Sequence, residues 1–198
     1  MSTLAQNYNH TGQFRESVAL HEKILEYHKS TEDPDAWFLW TYGIACQGAG
    51  KLDQAGILFH KALAQCRERD DSGGYSTANT LGWLARNLLL QERYAEAEPI
   101  ARESVAISEK ERAEAPQGFY CVSILGAVLC GQSNYTEAEP LLLQGYEGMK
   151  RQQALLQAVW KRRMGEAGQR VVHFYEVTNQ PEKARQWRKK LQNDKNNE

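Results

Sequence analysis

The chain of 198 residues has almost no net charge, few prolines and no long apolar run. Each shortage excludes a class of protein. With 24 Lys+Arg against 25 Asp+Glu the formal charge is −1, so no global imbalance points to a nucleic acid or an anionic membrane. The longest uncharged stretch, Ala115 to Thr136, contains one apolar segment, Phe119 to Gly131. That segment is shorter than the roughly 20 residues needed to span a bilayer, so no membrane helix is expected. Met1 to His10 offers neither a basic nor an apolar leader region, so no signal peptide is expected. The four cysteines, Cys46, Cys66, Cys121 and Cys130, lack CxxC pairing and sit in apolar periodic segments. Buried thiols in a reducing, cytoplasmic setting follow from that pattern.

Catalytic patterns are equally scarce. Gln47-Gly-Ala-Gly-Lys51 resembles a phosphate loop only superficially, because Leu52 stands where the magnesium-holding Ser or Thr belongs and no strand precedes it. A turn between helices explains it. His21 and His28, seven apart, supply two of the four ligands that zinc requires, and a solvated helix surface is the expected reading. His173 with Glu176 is an i,i+3 pair, read as a surface contact rather than an acid/base couple. No kinase motifs occur. The chain is therefore read as non-enzymatic, with no cofactor and no metal.

What is present is repetition. Tyr94-Ala-Glu-Ala-Glu-Pro99 and Tyr135-Thr-Glu-Ala-Glu-Pro140 are nearly identical and 41 residues apart. Leu52-Asp-Gln-Ala55, Phe14-Arg-Glu-Ser17 and Pro181-Glu-Lys-Ala184 are fainter copies, at intervals of 42, 38 and 46 from their neighbours. Upstream of the central copies run apolar stripes such as Leu81, Leu84, Ala85, Leu88 and Val122, Leu125, Gly126, Leu129, which are helical faces. Downstream, small residues (Ala55 and Ala62, Ala97 and Ser104, Ala138 and Gly145) let a second helix approach closely. Thr136 and Glu139 suggest a capping box, with Tyr135 and Pro140 as its staple. Such helix pairs cannot bury their faces alone and must stack. The prediction is an all-α right-handed superhelix of about five pairs, 2–10/14–29, 35–48/52–69, 76–90/94–113, 117–131/136–151 and 155–178/181–192. These form one domain with units 2–29, 35–69, 76–113, 117–151 and 155–192. The stretch from Gln152 to Gly168 contains no proline, and a break with a long new helix beginning near Ala154 is expected there.

Gly43, Gly50, Leu52, Ala55, Phe59 and Ala62 stand at the spacing of the tetratricopeptide signature. The period near 42 with Glu-Ala-Glu-Pro resembles the kinesin-light-chain-like subgroup of that family. Residues 138–150 and 184–190 also look like the repeat arrays attached to some bacterial serine/threonine protein kinases, which implies a regulatory part of a larger signalling protein. The family fold implies that one face of each first helix lines a concave groove.

On that face lie Trp37, Trp40, Ile44 and Gln47, then Asn79, Gly82, Arg86 and Leu89, then Tyr120, Ser123, Ala127 and Cys130, and last Gln169, His173 and Glu176. Amphipathic aromatics beside Asn and Arg suit a peptide site. The expected binding surface comprises Trp37, Trp40, Ile44, Asn79, Arg86, Tyr120 and Ser123. A second reading packs Trp37 and Trp40 against the first unit. Relatives that clamp a terminal carboxylate carry Lys, Asn and Arg where this chain has Trp40, Ile44, Tyr120 and Ile124, so that ligand is not implied. From Met149 to Glu198 there are 12 Lys+Arg and 5 Asp+Glu, a net +7, which leaves −8 for the rest. Two functions compete: an adaptor that binds a protein or peptide in an aromatic-lined groove, and a nucleic-acid-binding accessory protein using the basic last unit. The first is favoured, because a terminal repeat needs a polar outer face for solubility alone.

Overall fold

A computed structural model describes residues 2–27, 34–68, 75–112, 115–152 and 158–196. Among the described residues there are ten α-helices and no strand: α1 (Ser2–Thr11), α2 (Phe14–Tyr27), α3 (Ala36–Gly48), α4 (Leu52–Glu68), α5 (Tyr75–Leu90), α6 (Tyr94–Arg112), α7 (Pro116–Gly131), α8 (Tyr135–Arg151), α9 (Ala158–Val177) and α10 (Pro181–Asn196). Odd-numbered helices line the inside of the superhelix and even-numbered helices its outside. The expected helix ends at residues 28–29, 69 and 113, and the start near Ala154, lie outside the described residues.

The repeat intervals read from the sequence reappear in the backbone. Gly12, Gly50, Glu92, Ser133 and Asn179 all adopt a left-handed φ between 55° and 81°, and each stands two residues before an outer helix. That residue ends the inner helix in a Schellman arrangement. Gln13, Lys51, Arg93, Asn134 and Gln180 donate their N–H to the carbonyls of Tyr8, Cys46, Leu88, Leu129 and Tyr175 at 2.8–3.0 Å. Glycine is free to take this conformation, which is why Gln47-Gly-Ala-Gly-Lys51 is a helix-to-helix turn. Glu92, Ser133 and Asn179 take it against a modest steric penalty.

Small residues set the crossings. A Cβ on Gly145 of α8 would stand 2.8 Å from both the Phe119 carbonyl and the Ser123 amide of α7, and one on Gly126 would meet the Leu142 backbone at 2.9 Å. No side chain fits where two backbones approach this closely. Large residues fill the gaps so created: Phe59 lies over Gly43, and Leu191 of α10 seats on Gly168 of α9. The core is continuous, with Phe59, Leu81, Ile124, Leu129, Leu142, Tyr146 and Phe174 all buried.

Two expectations are corrected. The start of α8 is not a capping box: Asn134 is its N-cap and makes no side-chain cap hydrogen bond. Glu139 instead accepts from the Tyr175 hydroxyl at 2.9 Å and pairs with Lys183 at 3.6 Å, drawn outward by the next unit. His21 is not on a solvated surface either. It is buried, with Nδ1 donating to the Ser17 carbonyl at 2.8 Å and the ring stacked on Tyr42 at 5.0 Å. Burial pushes its pKa down. His28 lies outside the described residues. Between the fourth and fifth pairs, α8 ends at Arg151, the Gln152 amide donates back to the carbonyls of Met149 and Lys150, and α9 begins at Ala158.

Candidate binding channel

The inner face does not remain an open groove along its whole length, because α9 crosses it. α9 packs on α7 and α8 and reaches back to α1, so the last unit touches the first. Arg162 donates to the Asn9 carbonyl at 3.4 Å and lies over the Phe14 ring at 5.3 Å. Opposite-end contact of this kind accumulates from small rotations between successive repeats. It decides which inner-face residues meet solvent.

Trp37 is half exposed and rests on Trp40 at 5.0 Å. Trp40 is half-buried, edge-on to Trp83 at 6.4 Å, and Asn79 is half-buried. Ile44, Tyr120 and Ser123, expected on an accessible face, are buried. The cause for the latter two is α9: Arg170 donates to Ser123 Oγ and to the Tyr120 hydroxyl, each at 3.2 Å, and the Tyr120 hydroxyl donates to Glu166 at 2.6 Å. Arg86 bridges units, donating to Gln47 Oε1 of α3 and to Glu166 of α9 at 3.4 Å. The seven residues are therefore not one contiguous exposed strip.

Glu166 and Arg170 are the pieces that the sequence reading missed. The signal was there: 166, 170 and 173 continue the helical face carrying Gln169 and His173. Burial works to raise the Glu166 carboxyl, but Arg86, the Tyr120 hydroxyl, Arg170 and Arg162 outweigh it and hold it below the usual carboxylate range. A carboxyl whose folded pKa is depressed contributes stability above its unfolded pKa, about 4.3. That contribution is lost as pH falls through the folded pKa, because the unfolded chain then binds more protons. Acid titration should accordingly loosen α9 from α5 and α7 below about pH 4. Urea midpoints followed from pH 7 downwards should fall less steeply for Glu166→Gln than for the parent. Identical slopes would remove this role.

Beyond α9's crossing point the face opens into a channel of about 710 Å³, walled by α5, α7 and α9. Arg86, Glu166 and Arg170 lie at its closed end, and Leu89, Leu90, Tyr94, Cys130, Tyr135, His173 and Val177 line the rest. Leu90, Tyr135 and Val177 expose between 37% and 47% of their surface and line the same concavity. His173 lies 3.9 Å from Glu176, which also pairs with Arg188, and is largely exposed. Among the described residues no group of three His, Cys, Asp or Glu is placed to hold a metal. All four cysteines are buried and none forms a disulfide, and burial pushes Cys46 up to about 11.

The basic last unit directs much of its charge at its own neighbours. Lys183 pairs with Glu139 at 3.6 Å, Arg185 with Glu182 at 3.1 Å, Arg188 with Glu176 and Lys190 with Glu147, while Lys150 of α8 pairs with Asp194 of α10 at 2.7 Å. Among the described residues no helix is long and apolar enough to cross a membrane.

Comparison with known proteins gives one consistent result. Two family models described as tetratricopeptide repeat match residues 1–35 and 34–110, together more than half of the chain. No curated protein matches in sequence. A solved structure of a Podosopora anserina putative kinesin light chain with nearly identical TPR-like repeats is 20% identical, with a TM-score of 0.66 over 96% of this chain and 90% of that one. BtubC (BKLC) from P. vanneervenii reaches a TM-score of 0.69 at 14% identity, over 97% of this chain and 77% of that one. MamA from AMB-1 gives 0.59 at 17%, over 96% and 94%. At these identities the likeness is one of fold. The matched repeats and the ten-helix superhelix together make this chain a member of the tetratricopeptide repeat family.

Proposed function

We propose that the protein is a non-enzymatic adaptor that holds a segment of a partner protein in the channel between α5, α7 and α9. The observation that carries this reading is the half-exposed trio Leu90, Tyr135 and Val177 at the rim of a concavity. Clustered apolar side chains beside anchored polar groups are the usual composition of a binding hot spot. Arg86 and Arg170 share the single carboxylate of Glu166 at the closed end, which favours a partner segment with apolar side chains and a carboxylate of its own. Trp37, Trp40 and Asn79 extend the same surface towards the first unit, while Ile44, Tyr120 and Ser123 support it from beneath. The five units act as one array. The nucleic-acid reading loses weight because so many of the last unit's cations face carboxylates of the same chain. Four buried cysteines outside any disulfide fit a cytoplasmic setting, and a role as the regulatory part of a larger signalling protein fits a repeat array of this kind.

The test is affinity capture with the parent chain and with Leu90→Ser/Val177→Ser, quantified by mass spectrometry. Both positions are surface-exposed, so stability should change by no more than about 0.5 kcal/mol per site. The partner retained by the parent should fall at least tenfold with the variant. Equal recovery by a folded variant would sink the channel.

A further inference from the structure

A second site adjoins the Arg86–Glu166–Arg170 cluster on the inner face, and the chain itself fills it. Arg163 of α9 is a buried cation at 7% exposure. Among the described residues no carboxylate approaches it within ion-pair distance, and its Nε has no hydrogen-bond partner. An unpaired guanidinium in such a place is costly unless something replaces its hydration. Aromatic rings do so here: its carbon lies 4.7 Å from the Trp83 centroid, 5.6 Å from Tyr120 and 4.5 Å from Trp160. Arg86 lies over Trp83 at 5.5 Å and Arg170 over Tyr120 at 4.9 Å, so guanidiniums and rings alternate along the floor. Flat, weakly hydrated guanidinium stacks on such faces far better than a compact ammonium.

Two of the three rings belong to the scaffold. Trp83 comes from α5 and Tyr120 from α7, and Trp83 is fixed independently of α9 by stacking on Phe59 at 6.3 Å and by the edge of Trp40. Trp160 comes from α9 itself, one helical turn before Arg163. The seated turn therefore presents a ring and a guanidinium at i and i+3. The seated turn carries two unsatisfied donors of its own, Arg163 Nε and Arg162 Nε, both buried without an acceptor among the described residues. A buried donor without an acceptor keeps its desolvation cost uncompensated, so the cis contact is weaker than its buried area suggests.

We propose that Trp83 and Tyr120 form an arginine-recognition site, held in cis by Arg163. In trans the site accepts a helical segment carrying an aromatic residue three positions before an arginine. Release of the amino-terminal turns of α9 also breaks the Arg162 contacts to Asn9 and Phe14, so occupation in trans opens the seam between the first and last units. This site is separate from the channel at Leu90 and Val177, and its test uses no channel ligand.

The probe is a labelled peptide of residues 158–173 of this chain, followed by fluorescence anisotropy against the parent and against Arg163→Ala and Arg163→Met. The peptide should bind both variants at least tenfold more tightly than the parent, whose site is filled. Replacing the peptide's own Arg163 by Lys should cost at least tenfold. Hydrogen exchange in residues 160–166 should rise in both variants while α3 to α8 keep their protection. If Arg163→Ala does not fold, Arg163→Met decides alone, since it removes the guanidinium that the rings hold while leaving no buried charge and no large void. Equal binding to parent and folded variants, no binding to either variant, or a lysine peptide as tight as the arginine peptide would overturn the site.

Discussion

Tyr120→Ala is expected to lower stability by about 3–5 kcal/mol, the range for deleting a buried aromatic side chain. Tyr120 is 1% exposed, and three separate losses combine there. The ring leaves a cavity between α7 and α9. Arg163 and Arg170 lose a π face. Glu166 loses its 2.6 Å donor. Tyr120→Phe isolates the last of these and should cost about 1.5–3 kcal/mol, since the acceptor is charged. Urea unfolding measures both. An alanine variant within about 1 kcal/mol of the parent would mean that α9 is not held at this position.

Phe59→Ala should be equally damaging, again by about 3–5 kcal/mol. The ring is fully buried and occupies the space that Gly43 leaves open: a Cβ on Gly43 would stand 2.6 Å from it. Glycine has no side chain with which to refill the void, so the cavity cannot collapse cheaply. Trp83 also rests on this ring, and its release should shift the tryptophan emission of the variant to longer wavelength. Refilling from the other side, as Gly43→Ala/Phe59→Leu, should recover part of the loss. A stable Phe59→Ala protein with unchanged emission would contradict this packing.

These two residues also mark where sequence reading succeeded and where it stopped. Phe59 and Gly43 belong to the repeat signature, and their complementarity operates within one helix pair. Tyr120 stands on the other face of its inner helix, in the place that Trp37 holds in α3, and pattern alone assigned it to the accessible face. What buried it was a helix from another unit, 46 residues further along at Glu166. Trp37 kept its exposure, whereas Arg86 was drawn into an ion pair with Glu166 of α9. His21, read as a solvated histidine, was buried in the same way, by Phe38, Thr41 and Tyr42 of α3.

The sequence by itself determined the helices, the period and the turns, because each rests on interactions within about six residues. The left-handed positions at Gly12, Gly50, Glu92, Ser133 and Asn179 recur at the intervals of 38, 42, 41 and 46 that the motifs display. Glycine and alanine at the crossings fixed how closely each pair could approach. Only the tertiary structure decided that α9 crosses the inner face, that Arg86 meets Glu166 across 80 residues of chain, and that Arg163 lies among three rings. The reason is superhelical twist: small rotations between stacked pairs add up, and no local spacing encodes where the fifth unit meets the first.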